Sequence, residues 1–212
     1  MKTILSKALL VITATMALVG CAGKVSYAPP TPETNVKQSA VINTTQDIVW
    51  KTMIKNLSKN FYVINNIDKE SGLINVSYAS DPEAVIDCGH ITSYVKNAQG
   101  ARTYDFPAAK ASETYEIMDM NYGLFFVERR MSVDGRANII VQPVDSNNTS
   151  VSVSARYVVT KTLTQRNVSS NIPSSFTDTV NFNSSGSATF AEGGTTCHAT
   201  GKLESDILAS AN

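Results

Sequence analysis

Residues 124–160 read LFFVERRMSVDGRANIIVQPVDSNNTSVSVSARYVVT. In the second half of this stretch Val151, Val153, Ala155, Tyr157 and Val159 alternate with Ser150, Ser152, Ser154 and Arg156. A period of two puts all the apolar groups on one side of an extended chain, as in an antiparallel strand with one dry and one wet face. Upstream, residues 124–133 and 137–144 are two further β-rich runs, separated by Asp134-Gly135-Arg136. Asp-Gly between alternating runs predicts a hairpin there. Asp145 to Asn148 predicts a second turn, because short polar side chains bond to their own backbone and favour tight reversals. The Asn-x-Ser/Thr triplets, such as Asn147-Asn148-Thr149, read as turn chemistry of the same kind.

Outward from this centre, residues 115–120 read as another strand before Asn121-Tyr122-Gly123, and residues 165–179 as a polar loop. Residues 180–190 suggest a weak hairpin around Ser184-Ser185-Gly186, and residues 203–208 a closing helical turn capped near Thr200. On the N-terminal side, residues 40–43 suit a short strand, and Thr44 to Asp47 fit a capping box. The stripe Trp50, Met53, Ile54, Leu57 and Phe61 has helical spacing, with Lys51, Lys55 and Lys59 on the solvated side. Two β-rich runs follow, 61–67 and 73–78, split by a turn containing Gly72. The expected fold class is α+β: residues 37–212 form a single domain, with one long helix packed on a curved, mainly antiparallel sheet and a short C-terminal helix.

The segment that precedes this body has a different character. Lys2 and Lys7 lead into an apolar run from Ala8 to Leu18, the charged-then-apolar order of a secretory signal peptide over residues 1–20. The run is shorter than the roughly 20 apolar residues of a membrane-spanning helix. Leu18-Val19-Gly20-Cys21 resembles the lipobox of bacterial lipoproteins. That resemblance implies acylation of Cys21, with palmitate among the chains, which then becomes the N-terminus. Ala22, standing where Asp signals inner-membrane retention in such proteins, implies the outer membrane of a Gram-negative cell and a body facing the periplasm. Residues 21–36, with Pro29, Pro30 and Pro32, read as the lipidated cysteine and an extended tether. At about 3.1 Å per residue it reaches roughly 40 Å.

The 212 residues carry 18 basic and 18 acidic side chains. Removing residues 1–20 costs two lysines and no acid, so the remaining 192 residues are slightly acidic. A nucleic-acid partner needs a basic surface, and the one basic pair, Arg129-Arg130, lies in an alternating stretch that sends one side chain to solvent.

Cys88 and Cys197 remain, and an even pair in an oxidising compartment favours a disulfide. A loop of more than 100 residues closed by it corresponds to about 4–5 kcal/mol on the chain-entropy model. The only histidines, His90 and His198, lie beside these cysteines. Cys88, His90, Cys197 and His198 are therefore an alternative tetrahedral zinc set. Adjacent residues on a strand point to opposite faces, however, which works against joint ligation by Cys197 and His198. Free or intermolecular thiols are the third alternative.

Glycine-rich cofactor loops, G-x-S-x-G and H-E-x-x-H are absent from the sequence. Glu83 with Asp87, and Glu204 with Asp206, are the acidic pairs to weigh for acid–base work; pairs of this kind are usually solvated. No enzyme activity and no cofactor are expected.

Trp50, Leu57, Phe61-Tyr62-Val63-Ile64, Ile67-Asp68, Ser71-Gly72-Leu73-Ile74, Val76 and Tyr78 together resemble the helix–hairpin unit of BamC-like lipoproteins. That resemblance implies a helix-grip or TBP-like arrangement and a structural place in an envelope machine. Residues 80–112 depart from it as an insertion. Cys197-His198-Ala199-Thr200-Gly201-Lys202-Leu203-Glu204 resembles the ending of other lipoproteins with a Cys-x-x-Thr-Gly-x-Leu-Glu pattern.

The expected function is a lipid-anchored, non-catalytic scaffold or accessory subunit of an outer-membrane assembly or secretion machine, with the membrane and other envelope proteins as partners. Two alternatives stand beside it. One is a periplasmic binding module for an apolar ligand or envelope component, its cavity lined by Tyr62, Tyr78, Tyr94, Tyr104, Tyr115, Tyr122, Phe125 and Phe126; the other is a surface-exposed adhesion or conjugation factor.

Overall fold

The computed structural model describes residues 22–31, 36–60 and 62–212. In chain order the elements are β1 (Ala22–Ala28), β2 (Ser39–Ile42), α1 (Gln46–Lys59), β3 (Val63–Asp68), β4 (Leu73–Ser80), α2 (Pro82–Val85), β5 (Ile86–Asp87) and β6 (His90–Asn97). There follow β7 (Gly100–Pro107), β8 (Ser112–Asp119), β9 (Gly123–Pro143), β10 (Thr149–Asn167), β11 (Pro173–Asn183), β12 (Ser187–Thr189), β13 (Thr196–Ala199) and α3 (Lys202–Ala209). A seven-stranded antiparallel sheet orders β11-β10-β9-β4-β3, with β2 added on β10 and β8 on β9. Two three-stranded sheets, β1-β6-β7 and β12-β13-β5, accompany it.

The expectation of an α+β fold built on one long helix is overturned. Of the described residues 59% are in strands and 14% in helices, and the three helices are short. The stripe on α1 is real, with Val49, Trp50, Met53 and Leu57 buried. At 1.5 Å per residue, though, its 14 residues span only about 20 Å, whereas the 21 residues of β9 reach up to roughly 65 Å. One helix covers only part of so long a sheet. The remaining apolar face is covered by β-structure and by α3: β1 and β6 pack on β8, and α3 packs on β10. The chain therefore does not form a helix-grip or TBP-like arrangement.

The Asp134-Gly135 hairpin is also overturned. β9 runs through it without a break, and Gly135 pairs with Tyr157 of β10 on one side and Tyr78 of β4 on the other. Alternation alone does not decide this point. Val133 and Ala137 share a face in a straight strand, and also across a three-residue loop. The deciding fact is the partner: β10 is itself uninterrupted and pairs with both halves. Gly135 sits close to where one neighbour of β9 gives way to another, β8 ending at Arg130 and β4 beginning at Val133. A Cβ at residue 135 would stand 3.4 Å from Leu203 of α3 and 3.6 Å from the Tyr78 ring. Both are ordinary contact distances, so nothing at this position requires glycine, and glycine within a strand does not by itself mark a turn.

Residues 165–179 are not a loop. β10 continues to Asn167, and β11 pairs with it from Pro173 to Asn183. Hydroxyl pairs Thr160–Thr179, Thr162–Thr177 and Thr164–Ser175 line the exposed face of this ribbon at 2.6–3.1 Å. Such cross-strand pairs stabilise a sheet without apolar alternation.

Ala22–Ala28, expected as part of an extended tether, is a strand. It pairs with β6 from Ala22↔Lys96 to Ala28↔His90. Cys21, the signal segment 1–20 and Phe61 lie outside the described residues. The capping box is absent: Thr45 is the N-cap of α1 and makes no side-chain cap bond. Asp47 is held instead by Lys51 and Lys69, each at 2.6 Å, which bring its carboxyl down to about 2. The β3–β4 hairpin stands where the sequence places it, with Gly72 at φ 72°.

Candidate functional site

The C-terminal motif and the second half of β4 meet in one region. Cys197 of β13 is joined to Cys88 by a disulfide. Gly89 follows Cys88 with φ 76°, and a Cβ there would lie 2.2 Å from the Ala28 carbonyl oxygen, so only glycine lets β1 pass. The Tyr27 hydroxyl of β1 accepts from the Thr196 N–H at 2.9 Å. It faces the Cys88 and Thr196 carbonyls at 3.1 and 3.2 Å. One phenol thus ties the N-terminal strand to both sides of the bridge.

The four-ligand zinc alternative does not survive this arrangement. Both sulfurs are in the bridge. His90 is half-exposed, with Nδ1 2.9 Å from Asp105. His198 is buried, its Nδ1 3.0 Å from the Ala199 carbonyl. Among the described residues no three His, Cys, Asp or Glu side chains form a set able to hold a metal ion.

The acidic pairs do not converge either. The Asp87 carboxylate accepts from the Gly89 N–H at 2.7 Å, while Glu83 lies exposed in α2. Glu204 is fully buried and accepts from the Tyr157 hydroxyl at 2.9 Å to each carboxylate oxygen. Asp206, two residues on and facing elsewhere, is exposed enough to pair with Lys202. Tyr157 is stacked on Phe182 at 5.4 Å. Burial, and then the Glu204 charge, push its phenol far above the ordinary range, so it remains a proton donor to that carboxylate.

Beside this buried pair lies an open groove. Tyr62 and Tyr78 stack with ring centres 5.3 Å apart. On one side of them, Asn56, Asn60, Asp206 and Ser210 bound a hollow of about 440 Å³. On the other, Val63, Asp134, Arg136, Arg156 and Val158 bound one of about 650 Å³, and Tyr78 lines both. The hollow exists because β3 begins at Val63, opposite Ser77, while β4 continues to Ser80. Among the described residues the last turns of β4 therefore have no neighbour on that edge. Burial, and then Asp206, raise the Tyr62 phenol far above its usual range. The groove thus offers two aromatic hydroxyls, two guanidinium groups, the carboxylates of Asp134 and Asp206 and an open strand edge, which are recognition groups.

Two buried cations escaped the sequence reading of this face. Arg129 is buried, and its Nε and Nη2 donate to the Ala108 carbonyl at 3.2 and 2.7 Å. Lys161 is fully buried, donates to the Glu192 carbonyl, and lies over the Phe190 ring at 4.4 Å. Burial, and then the nearby Arg129, lower its ammonium to about 8. The available signal was parity: Lys161 continues the odd-numbered dry face of Val151 to Val159. Both cations clamp loops that close over the sheet. Cys21, the expected lipidation site, lies outside the described residues, one peptide bond before Ala22.

No protein-family profile, curated protein or solved structure matches this chain.

Proposed function

We propose that this protein is a lipid-anchored, non-catalytic component of the bacterial envelope, held at Cys21 in the outer membrane with its body toward the periplasm, and that it docks a partner protein at the Tyr78 groove. The anchoring half rests on Leu18-Val19-Gly20-Cys21 in the sequence, and the start of β1 is the observation that gives such an anchor a consequence for the body. Ala22, the residue after Cys21, is already paired with Lys96, and Tyr27 fastens the same strand to the disulfide region. An acyl group on Cys21 is then joined almost directly to an ordered body, so the membrane fixes where the body stands. The groove supports the docking half of the reading, because an open strand edge flanked by aromatic groups and by charges of both signs suits an extended segment of another protein.

Fractionation of the full chain against Cys21→Ser tests the anchor. The parent should sediment with outer membranes and carry acyl mass, and the variant should be soluble or uncleaved. Photo-crosslinkers at Val63 and Val158 test the groove: one envelope protein should be captured from both positions and not from Val144. Capture from all three alike would remove the groove from the proposal.

A further inference from the structure

The described chain begins at Ala22, beside an unusual cluster of turns. Ala22 pairs with Lys96, next to the β6–β7 turn. Gly23 lies so close to β8 that a Cβ on it would fall 2.3 Å from the Met118 Cβ. The β8–β9 turn that follows Met118 exposes Met120 by 82% and Tyr122 by 71%. The β10–β11 turn exposes Val168 by 47% and Ile172 by 71%. These two turns are fastened together: Asn167 Nδ2 donates to the Tyr122 carbonyl at 2.6 Å, and Val168 N–H to the Leu124 carbonyl at 2.9 Å. Each is also ordered from within, Asp119 accepting from the Asn121 and Tyr122 amides and Asn167 from the Ser169 and Ser170 amides. Three large apolar side chains and a tyrosine thus project from well-bonded turns, and Met120 and Val168 among them border a hollow of about 470 Å³ whose wall also includes Met118, Leu124, Asn97 and Asp119.

We propose that this tip inserts into the headgroup region of the bilayer, so that the body stands on the membrane by its turns as well as by its acyl chains. The inference rests on the reading of Cys21 as the anchor. That reading selects the occupant: an acylated residue 21 is within one residue of Ala22, so the nearest surface to these turns is the membrane itself. Apolar side chains with a tyrosine among them suit the interface, where the ring is buried and its hydroxyl stays wet. Behind the tip, the Arg166 guanidinium lies 5.7 Å from the Phe126 ring, and Lys96 is exposed beside Ala22. Both are placed to meet anionic headgroups. One further membrane contact beyond the acyl chains adds directly to the hold, since burial per methylene accumulates.

The test uses the mature full chain, made with its signal, in vesicles of phosphatidylethanolamine and phosphatidylglycerol. Cysteines placed singly at Met120, Ile172 and, as a control on the opposite β9–β10 turn, Val144 are labelled with an environment-sensitive fluorophore; the native pair is already bridged. Blue-shifted, brighter emission on vesicle addition is expected at residues 120 and 172 and not at 144. If the protein carries its acyl mass and sediments with vesicles, yet all three labels stay water-like, the tip proposal is overturned and the anchor stands. If acyl mass is missing and a second label marks Cys21, the anchor reading falls. A shift confined to residues 120 and 172 in that preparation still supports the tip, and no shift removes both.

Discussion

Gly135 shows how one missing side chain acts inside a strand. Its backbone is not in the left-handed region, and a Cβ would meet Leu203 and Tyr78 at ordinary contact distance. Gly135→Ala should therefore be neutral or stabilise by up to about 1 kcal/mol, since strand glycine loses the most entropy on folding. Gly135→Val should overpack against α3 and cost about 1–3 kcal/mol. Gly72→Ala should be worse than Gly135→Ala, because φ is 72° and the Val141 carbonyl would lie 2.2 Å from the new Cβ. Denaturant melts of the three variants check the order. A hairpin at Asp134-Gly135 predicts the opposite for Gly135→Ala. Lys161 makes a separate prediction. Its folded pKa of about 8 lies below the unfolded value, so between these values the unfolded chain binds more protons and stability rises with pH. The penalty is fully present below about 8 and fades as pH climbs toward the ordinary lysine range. Lys161→Met should abolish that rise, worth on the order of 1–3 kcal/mol, and thermal melts of both proteins between pH 7 and 10 measure it.

Among the elements, the disulfide and β1 act as one fastening. Cys88→Ser or Cys197→Ser should lower stability by about 2–5 kcal/mol. Tyr27→Phe, which removes only a hydroxyl shared between the strands, should cost about 1–2 kcal/mol. Hydrogen exchange should then quicken selectively over residues 22–28. Unchanged protection of β1 in Tyr27→Phe would mean that its pairing with β6 alone holds it. How legible these elements were depends on burial. β10, β4 and the buried stripe of α1 each have one dry face, so their periodicity showed in the residues, whereas β3 is largely exposed and was marked by the turn at Gly72. β1 and the β10–β11 ribbon are largely wet on their outer faces and stabilised by hydroxyl or backbone bonds. Their polar letters therefore look like tether and loop. The bridge between Cys88 and Cys197 could be anticipated from an even count together with the expectation of export, whereas the buried partnership of Tyr157 with Glu204 could not. A glutamate at that spacing looks solvated until α3 is laid on β10.

At the scale of the whole molecule, the long β9–β10 pair has two distinct ends. The turns near Ala22 carry Met120, Tyr122, Val168 and Ile172, and the opposite turn at residues 144–148 lies up to roughly 65 Å along the strands. The Tyr78 groove sits between them, at the level where β4 loses its outer neighbour. If the first end rests on the membrane, the groove stands at a set height and faces a set direction, because no flexible segment separates Ala22 from the sheet. A Gly-Ser insertion between Cys21 and Ala22 isolates this property. It leaves the proposed anchor Cys21, the β1–β6 register and the groove residues unchanged, so sedimentation with membranes and the melting temperature should equal those of the parent. What it removes is the fixed distance, since flexible linkers spread their ends over about 5–6 Å times the square root of their length. Crosslinking from Val63 to the proposed envelope partner should therefore fall with increasing insert length while anchoring persists. Crosslinking that is indifferent to insert length would show that the partner follows the body wherever it lies, and that the direct junction of Cys21 to β1 does not govern docking.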